Sequence, residues 1–248
     1  MIKQLPTLTG DTDGLVSGIN DKGQLVGFTG PCFPVHAVLW EKGKARDLGS
    51  LGGAFNNIAF EINNRGQVVG ASDLPGDLTH HAFLWESGVM MDLGTLRGLP
   101  VSLAQEINNK GQVVGYSQDL SSNNTTAWIW QDGVMAELNT LIPANSHLFL
   151  VEALGINDRG EISGYAIDSQ SGVAPAFLAI PCDNDHPNVE GCDYSMVDAV
   201  EIANNTAPPQ YPQAIRPTMD SVTRPINPWE NWFRQRYRML GQRPALRH

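Results

Sequence analysis

Short apolar runs broken by polar, glycine-containing turns fill residues 1–181, and they return in the same order four times. The first landmark is GINDKGQLVG at 18–27, EINNRGQVVG at 61–70, EINNKGQVVG at 106–115 and GINDRGEISG at 155–164, which puts Ile19, Ile62, Ile107 and Ile156 in register. A second is HAVLW at 36–40, HAFLW at 81–85, TAWIW at 126–130 and PAFLA at 175–179. A third is DLGSL at 47–51, DLGTL at 92–96 and ELNTL at 137–141. Self-similarity at a period of roughly 20–50 residues signals a repeat architecture in which each copy is one supersecondary unit.

Within a copy, Asn-x-x-Gly has the signature of a type I turn, with a side-chain acceptor first and glycine at the exit, and Trp40-Glu-Lys-Gly43 reads the same way. The turns divide each copy into four strands, the pattern of a propeller blade. The fourth copy stops after PAFLAIP with no third landmark, whereas the chain opens with Gln4-Leu-Pro-Thr-Leu8, which matches it. The expected fold is therefore all-β, a small propeller of four four-stranded blades closed by an N-terminal strand at 2–8, since closure removes open sheet edges. A fifth blade from 190–223 and an open solenoid are the competing arrangements.

These landmarks resemble the bacterial extracellular HAF-repeat family, named for the His-Ala-Phe that stands here as His81-Ala82-Phe83. The resemblance spans residues 1–180 and departs from the pattern at Thr126, Pro175 and Ala179. It implies a repeat architecture and an extracellular or periplasmic setting, without a chemistry.

Composition refines this picture. Charged residues make up 17% of the chain, while Gly and Pro number 25 and 16, which suits many short strands and tight turns. Six of the basic residues are Arg in 224–248, leaving 1–223 with ten basic against twenty-five acidic residues. A body this acidic disfavours nucleic acid as partner and attracts cations. No run approaches the ~20 apolar residues of a membrane span, and no signal segment opens the chain, so it reads as soluble. Cys182 and Cys192 flank a polar loop and are placed to pair, which would mean an oxidising compartment. Residues 182–227 read as an irregular segment and linker. The tail, 228–248, reads as a basic amphipathic helix that docks on the acidic body or on an anionic membrane surface.

Function is expected at the end of the repeats that carries the long, dissimilar loops, where Asn56, Asn57, His81 and Asn145 are the candidate ligand-binding residues. Asp11, Asp13, Glu61, Glu106 and Glu152 are candidate ligands for Ca2+, a hard cation that takes several oxygen donors; ordinary turn chemistry accounts equally for the Asp residues. Glu61 and Glu106 would face a central channel, and with His147 as general base they form a candidate catalytic set. Trp40, Trp85, Trp128 and Trp130 stand at repeat positions and read as core. No hydrolase, zinc, nucleotide or haem motif is present in the sequence. Two functions fit: a secreted or surface protein that binds a small molecule, glycan or protein through its long loops, and a calcium-dependent hydrolase of lactones or esters at the channel.

Overall fold

The computed structural model describes residues 2–189 apart from positions 32, 97, 123, 144, 184 and 188. The described chain is all-β, with one short 3-10 turn at Leu138–Thr140. Strands β1 (Gly14–Ile19), β2 (Leu25–Thr29), β3 (His36–Glu41) and β4 (Lys44–Asp47) form one antiparallel sheet in chain order. The second sheet is β5 (Asn57–Ile62), β6 (Val68–Asp73), β7 (His80–Glu86) and β8 (Val89–Gly94), and the third is β9 (Val101–Ile107), β10 (Val113–Asp119), β11 (Asn124–Gln131) and β12 (Val134–Glu137). The fourth has three strands, β13 (Leu148–Ile156), β14 (Ile162–Asp168) and β15 (Ala176–Ala179).

The sheets pack face to face through three apolar seams, and the strand period of two assigns each residue to a seam. Val68, Phe83 and Trp85 of the second sheet meet Val26, Ala37 and Leu39 of the first, whereas the alternate residues Val69, Ala82 and Leu84 meet Ala104, Ile107 and Trp128 of the third. The third seam joins Val114 and Ala127 to Ala153, Ile156 and Phe177. Strands β6, β7, β10 and β11 are thus buried on both faces and read as near-continuous apolar runs rather than alternating ones. All four repeat-position tryptophans are buried, as their period predicts.

Two sequence expectations are corrected. The Trp-x-x-Gly hairpins are not type I: Lys42 and Gly43 both have positive φ (50° and 77°), as do Ser87 and Gly88 (53° and 96°) and Asp132 and Gly133 (50° and 89°). That is a two-residue I′ turn, whose twist matches that of the strands it joins. The Asn-x-x-Gly turns hold as expected, with the Gly66 N–H donating to the Asn63 carbonyl at 3.0 Å.

The second correction concerns closure. Residues 2–8 form no strand and do not complete the fourth sheet. They lie instead on the first sheet, where the Trp40 indole N–H donates to the Pro6 carbonyl at 2.6 Å. Pro6 has no N–H to give a ladder, which works against strand pairing at the middle of this segment. The likeness to the third landmark is nevertheless local: the Thr7 hydroxyl donates to the carbonyl four residues on, Asp11, as Thr95 does to Leu99.

Cys182 is disulfide-bonded. Cys192, most of the linker expected at 182–227 and the helix expected at 228–248 lie outside the described residues.

Candidate functional site

The four Asn-x-x-Gly turns stand side by side and are tied into one polar ladder. The Asn63 side-chain oxygen accepts the N–H groups of Arg65 and Gln67, each at 3.0 Å, and its amide donates to the Gln67 side chain at 2.7 Å and to the Asn108 carbonyl of the next sheet at 3.0 Å. Asn20 reaches the Asn63 carbonyl and Asn108 the Asn157 carbonyl in the same way. The following residues make a second rail, in which the N–H groups of Asp21, Asn64 and Asn109 donate to the side chains of Asn64, Asn109 and Asp158. Sequence reading missed this inter-sheet role. Its signal was present, because a Gln or Glu follows each of these Asn residues by four positions in all four copies.

Burial raises what the ladder contributes. Asn63→Ala strips the partners from the buried Gln67 N–H and Asn108 carbonyl and from the half-buried Arg65 N–H, an expected loss of about 2–4 kcal/mol by denaturant titration. Asn157 is exposed and its amide goes to Glu161 rather than to another sheet, so Asn157→Ala should cost about 1 kcal/mol or less.

Just before each turn the innermost strand carries a bulge, at Ser17, Phe60, Gln105 and Leu154, and a glycine of the next strand pairs beside it. A bulge re-aims the side chain after it. In the second and third sheets that side chain is Glu61 or Glu106; in the first and fourth it is Gly18 or Gly155. The Glu61 carboxyl lies over Gly18, 2.6 Å from where a methyl would stand, and accepts the Ile62 N–H at 2.9 Å.

Glu61 and Glu106 line a polar depression of about 430 Å3 at the turn end, together with the ladder residues of all four sheets. Burial pushes the Glu106 carboxyl up to about 8, helped by the neighbouring Glu61 charge and opposed by its bond to the Ile107 N–H. Glu61 is raised by burial as well. Asp158, at the same rim, is held below the usual carboxylate range by hydrogen bonds from Asn109. The depression therefore pairs a carboxylate rim with two carboxyls whose charged form burial disfavours.

At the opposite, long-loop end the acidic residues tie loops together. Asp11 accepts from the Thr29 hydroxyl at 2.5 Å and faces His36 at 3.2 Å, and Asp13 accepts from Thr12. Asp73 accepts the Asn56 N–H at 2.9 Å, Asp77 accepts that of Ala54 at 2.7 Å, and Asn57 accepts from the Ser72 hydroxyl at 2.6 Å. Asn56 keeps a buried side-chain oxygen without a hydrogen-bond partner. His81 faces Asp92 of its own sheet at 3.0 Å, His147 faces Asp168 at 3.5 Å, and Asn145 is exposed on the connection before β13. This end exposes one apolar residue on each long loop, Phe33, Leu78, Leu120 and Val173, among exposed polar residues such as Asp77, Ser121 and Gln170. Phe55 stacks on Phe33 with ring centroids 4.9 Å apart.

The proposed sets are only partly brought together. Glu61 and Glu106 share the depression, but His147 precedes β13 while the depression lies at its far end, roughly 25 Å away at ~3.3 Å per residue. Asp11 and Asp13 are at the loop end, and Glu152 is wholly buried inside the fourth sheet, where the Tyr165 hydroxyl donates to it at 3.2 Å. The five candidate metal ligands thus occupy three separate places. Among the described residues no group of three or more His, Cys, Asp or Glu is gathered as a metal would need. Compared with known proteins, the chain matches no family model and no curated sequence.

Proposed function

We propose that the chain is a binding protein that works outside the cytoplasm through its long-loop end, and that its four sheets are blades of an unclosed propeller of the HAF-repeat kind. The observation that supports the binding role best is the exposed apolar residue on every long loop, Phe33, Leu78, Leu120 and Val173, all at one end. Single exposed apolar residues need no explanation, but one per loop, repeated four times at one end, makes a surface ready to be covered. Aliphatic tips suit a protein partner better than a glycan, which would stack on free aromatic faces. The disulfide at Cys182 fits an oxidising compartment.

A photo-crosslinking residue placed at Leu78, and separately at Val89 on a hairpin at the other end, tests this on intact cells of the source. Adducts are expected from position 78 alone, and they should disappear when Phe33, Leu120 and Val173 become Ser. Equal labelling from both positions, or from neither, would remove the proposal, and labelling of glycan alone would change the partner class.

A second reading, a hydrolase of lactones or esters, draws on the paired Glu61 and Glu106 carboxyls in the open depression, where a neutral carboxyl at pH 7 is suited to proton donation. Turnover of a lactone and ester panel that falls in Glu106→Gln would favour it. Repeating the panel with chelator and then with Ca2+ separates a metal-dependent reaction from a metal-free one.

A further inference from the structure

We infer that the two outer faces of the sheet array fit each other, so that the fourth sheet of one copy of this chain docks on the first sheet of a second copy. Every internal seam uses the same positions: Val69, Ala82 and Leu84 on one side, and Ala104 and Ile107 on the other, recur at equivalent places in the neighbouring seams. Among the described residues, nothing lies on the β1 part of the receiving half in the first sheet. Ile19 is 63% exposed and Val16 40%, although the equivalent isoleucines Ile62, Ile107 and Ile156 are at most 9% exposed. The fourth sheet keeps two of the three inserting positions, Ala176 and Leu178, with Ser163 in place of the valine; Leu178 is 62% exposed where Leu39 and Leu84 are 4% and 5%. Residues 2–8 cover the outer strands of the first sheet, burying Trp40, and leave its innermost strand open.

The polar ladder has matching ends. Each internal rung runs from a turn amide to the Asn carbonyl of the following sheet. Among the described residues no sheet follows Asn157, which turns its amide to Glu161, and none precedes Asn20 to donate to its carbonyl. Docking the fourth sheet on the first of a second copy adds a rung from Asn157 to Asn20. On the outer rail the internal pairs are Asp21 with Asn64, Asn64 with Asn109 and Asn109 with Asp158, each holding at least one amide. The new seam sets Asp158 against Asp21, two carboxylates, so the contact is weakened at neutral pH. It should tighten in Asp21→Asn.

An interface of this kind is heterologous, with different patches on the two partners, so each copy has one inserting and one receiving end. The test mixes two variants of the full chain, each with a charge at an exposed position that leaves its own core untouched. Sedimentation from roughly 1 to 100 µM should show the wild type associating with concentration, and Ile19→Asp and Leu178→Asp each staying monomeric. An equal mixture of the two variants should form a dimer and nothing larger, because each supplies the end the other lacks. Asp21→Asn should lower the wild-type dissociation constant several-fold. A wild type that stays monomeric throughout would overturn the inference, meaning that the faces close on each other or are covered within one chain. Dimers formed by either variant alone would overturn it in favour of a like-with-like contact.

Discussion

Gly70→Ala should be among the most damaging single changes in the protein, costing more than about 3 kcal/mol and lowering Tm by roughly 10 °C, or abolishing folding. Gly70 ends the EINNRGQVVG landmark and pairs beside the bulge at Phe60. A methyl on it would fall inside the van der Waals radius of the Ile58 carbonyl oxygen and 2.9 Å from the Phe83 ring. Neither neighbour can retreat, since one is backbone in the paired strand and the other is wholly buried in a seam. The same collision recurs at Gly27, Gly115 and Gly164 against Leu15, Leu103 and Glu152. Gly155→Ala serves as the control: its methyl meets only the Ser163 hydroxyl, which can rotate away, so a change of about 1 kcal/mol or less is expected. Equal denaturation midpoints for Gly70→Ala and wild type would show that the bulge and its glycine do not set the strand geometry.

This glycine also shows what the sequence made legible. Three landmarks in register were enough to place the strands, because turn glycines and alternating seam residues leave a local mark at fixed offsets. Val68 and Val69 point to opposite seams, and that is visible as an unbroken apolar pair once both faces are known to be buried. The end of the array was harder to read. Gln4-Leu-Pro-Thr-Leu8 matches the third landmark and takes its local hydrogen bond at Thr7, yet pairing with β15 depends on long-range placement that a five-residue likeness does not fix. Ser163 was a readable hint, since it stands where Val26, Val69 and Val114 fill seams. A polar residue at that one position marks a sheet face without an internal partner.

The candidate site was legible in part and for an identifiable reason. Glu61 and Glu106 precede equivalent isoleucines, so their proximity follows from the repeat alone. Asp11, His147 and Glu152 belong to no shared register with them. Grouping those residues relied on charge and residue type, which the fold uses to tie a loop to β2 at Asp11, to close a turn at Asp168 and for an internal hydrogen bond at Glu152. The apolar loop tips were missed because each is a single residue in a dissimilar loop, and only the folded chain brings the four to one end.

The Glu61–Glu106 pair leads to the second large expectation, a stability that falls as pH rises. The Glu106 carboxyl stands at about 8 in the folded chain against an ordinary value of 4.5. Between those two values the folded state holds a proton that the unfolded state has released, so unfolding becomes easier as pH climbs through this window and levels off above it. The whole shift would correspond to about 5 kcal/mol, which partial contact of the carboxyl with water screens to about 2 kcal/mol. Wild-type Tm should therefore drop by roughly 5 °C from pH 5 to pH 8. Glu106→Gln keeps an oxygen for the Ile107 N–H and has no charge to bury, so its Tm should fall by only what Glu61 contributes and exceed the wild type at pH 8 while matching it at pH 5. Glu61→Gln removes the neighbouring charge and should shrink the wild-type drop without abolishing it, because burial is the larger cause. Parallel Tm curves for all three proteins would mean that the carboxyls are ionised and well solvated, and the proton-donor reading of the depression would go with them. A drop markedly larger in chains that retain Glu106 would identify a carboxyl held protonated at a stability cost, which is the condition under which a fold places an acid for use.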